Sequence, residues 1–116
     1  MEIILEAYGN VYVLSLRGKL DLASAAGLKA RVKSLLDDHK NLIHVCLREV
    51  DFINSSGLGA MVSLLKEIRL HRGRLTLSDL APYVNEIFDI TQLSHVFEIF
   101  PTVEEAMISY GAIPVA

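Results

Sequence analysis

Tryptophan is absent from the 116 residues, aromatic side chains make up only 7%, and there is a single cysteine. A core without large rings has to be aliphatic, drawn from the Leu, Ile and Val of a chain that is 52% apolar. At this length such a chain buries roughly two-thirds of its unfolded surface. One cysteine, Cys46, excludes an internal disulfide and fits a reducing compartment. Its neighbours Val45 and Leu47 read as the interior of a strand, where a thiol acts as a small hydrophobe. A membrane-spanning run is also missing. The longest apolar stretch, Gly57 to Leu65, includes Ser63 and stops at Lys66, far short of the ~20 residues that cross a bilayer. The start, Met1 to Glu6, alternates like a strand and carries two acids, unlike a signal peptide. Nor is there a basic stripe. The net charge is −3 with both signs scattered, so nucleic acid finds no electrostatic footprint. These absences describe one soluble, cytoplasmic domain spanning residues 1–116, with no membrane insertion and no nucleic-acid partner.

Recurrent chemical motifs are missing as well. No G-x-x-x-x-G-K-[ST] offers a phosphate loop, and no G-x-G-x-x-G follows the first strand-like run. His39, His44, His71 and His95 are scattered without metal-ligand spacing. No paired base and nucleophile stands out, so neither a cofactor, a metal nor a catalytic activity is expected. Asn54-Ser55-Ser56 fits a glycosylation pattern, a chance match in a chain without a secretion signal.

What is present is an alternation of short elements. Glu2–Tyr8 and Val11–Arg17 read as strands, with Gly9-Asn10 as a tight hairpin turn between them and Gly18 as a break. Ala23 to His39 has helical spacing, with Ala26, Leu28, Val32, Leu35 and Leu36 near one face and Asp21 as its N-cap. Leu42–Leu47 is a β-rich run suited to a strand covered on both faces. Arg48 to Asn54 reads as a loop. A second helix runs from about Ser56 to His71 on the stripe Leu58, Met61, Val62, Leu65 and Ile68. Cations crowd its end, and Gly73 stops it. Arg74–Leu77 is the next strand. Pro82 opens a third helix with Val84, Ile87 and Phe88 inward. Val96–Phe100 is a last strand. Thr102 and Glu105 predict a capping box for a final helix through Tyr110, ended by Gly111. The order β-β-α-β-α-β-α-β-α predicts an α/β fold: a mixed sheet with an N-terminal antiparallel hairpin and helices mainly on one face.

The most informative segment is Val50-Asp51-Phe52-Ile53-Asn54-Ser55-Ser56-Gly57-Leu58-Gly59. It precedes a helix, where backbone N–H groups lack partners and the helix dipole is positive. A phosphate there would meet free donors and a favourable field, and the glycines allow close approach. On physical grounds alone, Ser55 and Ser56 read first as helix caps.

Phe52-Ile-Asn-Ser-Ser-Gly-Leu-Gly59 resembles the signature loop of the STAS family, specifically its anti-sigma factor antagonists, which usually carry Asp-Ser-Ser-Gly-Leu-Gly. Gly18-Lys-Leu-Asp21 resembles the family's Gly-x-Leu-Asp element, and Pro82-Tyr-Val-Asn-Glu-Ile-Phe-Asp89 its Pro-x-Val-x-x-x-Phe helix. Leu93 to Phe100 and Thr102 to Ala106 resemble its tail. The resemblance implies that Ser55 is phosphorylated by a partner that is both anti-sigma factor and serine kinase. It implies that the unphosphorylated domain binds this partner and frees a sigma factor, and that a serine phosphatase resets the switch. Ser56 matches an unmodified neighbour and Asp21 an acid beside the loop. The implied partner surface is Asp21, Asn54, Ser55, Ser56, Gly57 and Leu58. Asn54 departs from the usual Asp. Two alternatives stay open: a STAS subunit of a lipid-transport ATPase or a stress-signalling scaffold, and a small enzyme or nucleotide-binding module at the strand ends.

Overall fold

A computed structural model describes residues 1–111. Residues 112–116, the end of the expected domain span, lie outside the described residues. The element order is β1 (Glu2–Tyr8), β2 (Val11–Leu20), α1 (Leu22–Asp37), β3 (Leu42–Ile53), α2 (Ser55–Leu70), β4 (Arg74–Ser78), α3 (Pro82–Ile90), a 3₁₀ turn (Leu93–His95), β5 (Glu98–Phe100) and α4 (Val103–Ser109). The five strands lie side by side in chain order. β1 and β2 form the antiparallel hairpin, and every later pairing is parallel. Gly9 supplies the positive φ, 61°, of the turn between them.

Three successive right-handed crossovers in one direction put α1, α2 and α3 on the same face. That face holds the main core. Leu14, Leu16, Ile43, Val45 and Leu47 of the sheet pack there with Leu28 and Val32 of α1, Met61 and Ile68 of α2, and Val84 and Phe88 of α3. Side chains alternate along a strand, so Val11 and Val13 face the other way. They bury Ala106 and Met107 of α4, the one helix on the back face among the described residues. In α1 the inward alanine is Ala25, not Ala26.

The sheet is longer than expected where it matters. Arg48 to Asn54 is not a loop: β3 continues to Ile53. Its charged residues resemble a loop in sequence, but they lie on the exposed side while Val50 and Ile53 are buried in the core. Gly18 likewise does not end β2. With φ 120° it sits at a register shift, and β2 runs on to Leu20 beside β3. β4 accompanies β3 only as far as Cys46. The far half of β3 is therefore a two-stranded arm with β2. Extra residues bend and twist such an arm, and it ends where α1 and α2 begin. At the other end of the sheet, β5 starts at Glu98 and not Val96. Val96 is exposed, whereas Phe97 is buried edge-on to Phe88, with ring centroids 5.6 Å apart.

Candidate functional site

The arm delivers two helix starts to one place. After Leu20 the chain turns into α1, and Asp21 is its N-cap. Asp21 Oδ1 accepts from the Ser24 N–H at 3.0 Å, and the Asp21 N–H donates to Ser24 Oγ at 3.0 Å. Ser24 Oγ in turn donates to the Lys19 carbonyl at 2.7 Å. The Ser24 backbone N–H holds the Asp21 carboxyl below its ordinary value. Asp21 is thus a structural cap and also a charged group at this corner.

After Ile53 the chain turns into α2. The expected serine caps are a point of difference. The N-cap is Asn54, whose Oδ1 accepts from the Gly57 N–H at 2.9 Å. Ser55 is the first helical residue and Ser56 the second, both exposed. The amide side chain takes over the capping, as asparagine does well, and both serine hydroxyls are spared that duty. The first turn of α2 contains no acid, so its dipole is not offset by a neighbouring carboxylate. The N–H groups of Ser55 and Ser56 stand before the intrahelical ladder begins.

The two helix starts are pressed together. The Asn54 N–H donates to the Leu20 carbonyl at 3.3 Å. A Cβ at Gly57 would stand 2.2 Å from that same oxygen. Only glycine allows α2 to lie this close to the β2–α1 corner. Asp21 and the segment Asn54, Ser55, Ser56, Gly57 and Leu58 therefore meet at one corner of the fold. Gly57 is buried within it and Leu58 is half-buried. Three neighbours escaped the sequence reading. Leu22 is 74% exposed beside Asp21, and Phe52 is 36% exposed beside Asn54. Lys19 sits over the Phe52 ring at 5.7 Å. Lys19 and Phe52 are partners across the arm, a pairing invisible while Arg48–Asn54 reads as a loop. Apolar and charged groups thus stand exposed at the ends of the same two strands that lead into the two helices.

A second cluster was also missed. On the back face His44 Nε2 lies 2.7 Å from Ser78 Oγ, which donates to Asp79 Oδ2 at 2.7 Å. Serine, histidine and carboxylate meet, but the order is wrong for nucleophilic catalysis. The carboxylate holds the serine, and Thr76 rather than an acid faces His44 Nδ1, at 2.7 Å. His44, Thr76 and Ser78 are fully buried, so no substrate reaches the hydroxyl. Cys46 is buried too, and burial pushes its thiol up. Among the described residues no three metal-ligating side chains converge, and no helix is long and apolar enough to cross a membrane.

Comparisons with known proteins bear on the family and the fold. The family model for the STAS domain matches residues 2–106. The anti-sigma-B factor antagonist of Bacillus subtilis is 30% identical over 78% of this chain and 82% of its own length. A Bordetella bronchiseptica protein named as a candidate anti-sigma factor antagonist, BtrV, is 26% identical over 95% of each chain. The crystal structure of a candidate anti-sigma factor antagonist from Thermotoga maritima superimposes with a TM-score of 0.86 at 27% identity, covering 92% of both chains.

Proposed function

The chain belongs to the STAS family, and from that membership we propose that it is an anti-sigma factor antagonist switched by phosphorylation of Ser55. The observation that carries the proposal is the placement of Ser55. It is exposed at the first position of α2, its capping duty taken by Asn54, in the segment that resembles the family's signature loop. The partner is an anti-sigma factor that is also a serine kinase. It docks on Asp21, Asn54, Ser55, Ser56, Gly57 and Leu58, and a sigma factor is released as it does so. The partner's ATP phosphorylates Ser55, and a serine phosphatase reverses the change. The domain is substrate and ligand rather than enzyme, and it works in the cytoplasm.

One phosphate suffices without a change of fold. It adds about −1.5 to −2 charges and three acceptor oxygens. In the free domain it sits in solvent beside the Ser55 and Ser56 N–H groups and a helix dipole that favours it. In a closed interface it has to be desolvated, next to the Asp21 carboxylate. A loss of about 3 kcal/mol weakens binding more than a hundredfold.

The test is affinity capture from a lysate with wild type, Ser55→Ala and Ser55→Asp, followed by mass spectrometry of a reaction with the captured kinase and ATP. One phosphate on Ser55, binding retained by Ser55→Ala and lost by Ser55→Asp, supports the proposal. Phosphate on Ser56 moves the site by one residue. Capture of a transport ATPase with neither serine modified refutes it.

A further inference from the structure

The back-face cluster extends beyond His44 and Ser78 into a buried hydroxyl chain. Tyr110, the C-cap of α4, places its Oη 3.0 Å from Thr76 Oγ1. It also lies 2.9 Å from the Ile43 carbonyl and 3.3 Å from that of Arg74. From Thr76 the chain passes to His44 Nδ1, then from His44 Nε2 to Ser78 and on to Asp79, each step 2.7 Å. Arg48 pairs with the other Asp79 oxygen at 3.2 Å.

Counting protons orients this chain. An ionised Asp79 only accepts, so the single Ser78 proton points to it. Ser78 Oγ then accepts from His44 Nε2, which makes His44 the Nε2–H tautomer. Nδ1 accepts from Thr76, while the Tyr110 hydroxyl donates to the Ile43 carbonyl. Every proton between Thr76 and Asp79 runs one way, toward Asp79. Now add one proton from solvent to Nδ1. Nδ1 donates to Thr76, and Thr76 turns to donate to Tyr110, which already donates to the Ile43 carbonyl. No donor is stranded, and the Ser78–Asp79 half is unchanged.

We propose that this chain is a reversible hydroxyl relay, through which the folded domain takes up one proton at His44 and turns the Thr76 hydroxyl onto Tyr110, the C-cap of α4. The surroundings define its working range. Burial pushes His44 down to about 4, and Asp79 pulls the other way. β3 contributes Arg48, spent on Asp79, and the un-ionised Cys46. β4 and β5 contribute Arg74 and Glu98, paired to each other at 2.7 Å, with Arg74 4.3 Å over the Tyr110 ring. Burial pushes Tyr110 itself up to about 12, so it stays a neutral donor. β2 faces His44 and Cys46 with the uncharged Val13 and Ser15.

The test is a ¹⁵N NMR titration of the imidazole in the full chain. The expected results are an Nε2–H tautomer at neutral pH and protonation near pH 4 with the native spectrum retained. Thr76→Val, which leaves Nδ1–H without an acceptor, should lower the His44 midpoint by at least one pH unit, and Thr76→Ser should restore it. Tyr110→Phe, which removes the acceptor for the reversed Thr76 proton, should lower it as well and serves if Thr76→Val does not fold. An Nδ1–H tautomer, unfolding before His44 titrates, or an unchanged midpoint in either lowering variant overturns the relay.

Discussion

Gly57→Ala and Gly59→Ala are the same substitution two positions apart on one helix, and they should have opposite effects. A methyl group at Gly57 meets the Leu20 carbonyl oxygen at 2.2 Å, its carbon at 2.9 Å and Ile53 Cγ1 at 3.1 Å. The first two are backbone atoms and cannot rotate aside. The start of α2 has to retreat by roughly 1 Å, as overpacked sites do, at about 1–3 kcal/mol. The Asn54–Leu20 backbone bond, already 3.3 Å long, is lost with it, adding about 1 kcal/mol. The sum, ~2–4 kcal/mol, lowers the melting temperature by roughly 10 °C for a domain of this size. At Gly59 nothing stands within 4 Å of the added carbon. There the helix gains up to about 1 kcal/mol from the better helix former, and the melting temperature rises by a few degrees. Thermal unfolding followed by circular dichroism reads both. Equal stability of Gly57→Ala and wild type, or a shift of the same sign in both variants, would refute the close-approach account of the junction. Gly57→Ala should also weaken partner capture at temperatures where it remains folded.

Asn54→Ala removes the α2 cap and should cost about 1 kcal/mol in chemical denaturation, whereas Asn54→Asp should be neutral or stabilising, because a carboxylate suits the helix N-terminus; a stable Asn54→Ala would return the capping role to the serines. Acid should weaken the fold through His44. Its folded pKa of about 4 lies below the ordinary 6.5, so the unfolded chain takes the proton first. This contribution is complete above about pH 6.5 and declines as pH falls toward 4, by up to about 3 kcal/mol. Urea titrations at several pH values follow it, and a flat profile after His44→Gln would assign the decline to His44. Cys46 should react slowly with a bulky thiol reagent in the native state and quickly after unfolding; rapid native labelling would contradict its burial.

The elements were legible where local signals agreed with tertiary context. The Gly9 turn, the Asp21 cap, Pro82 at the start of α3 and the Thr102 cap of α4 each carry their own chemistry, and each is found. The misreadings share a cause. Arg48, Glu49 and Asp51 speak for a loop, but their strand is held by pairing with β2, which a one-dimensional pattern does not contain. For the same reason the Lys19–Phe52 pair and exposed Leu22 went unseen. At α2 the sequence reading assigned the cap to Ser55 and Ser56. Position relative to the end of the arm, not residue type, selected Asn54. The His44 chain was hidden because its members come from β3, β4 and α4 and meet only across the sheet.

The contact between Gly57 and Leu20 also bears on when the site comes into being during folding. Its halves are far apart in sequence and are held together by the distal registers of β2 and β3, a non-local parallel pairing of the kind that is slow to form. A chain emerging from synthesis, or one opened by stress, has helix α2 without the corner it leans on. It therefore displays Ser55 on a frayed end instead of a surface. On the proposed function, a partner that reads both helix starts at once would bind finished molecules and pass over unfinished ones.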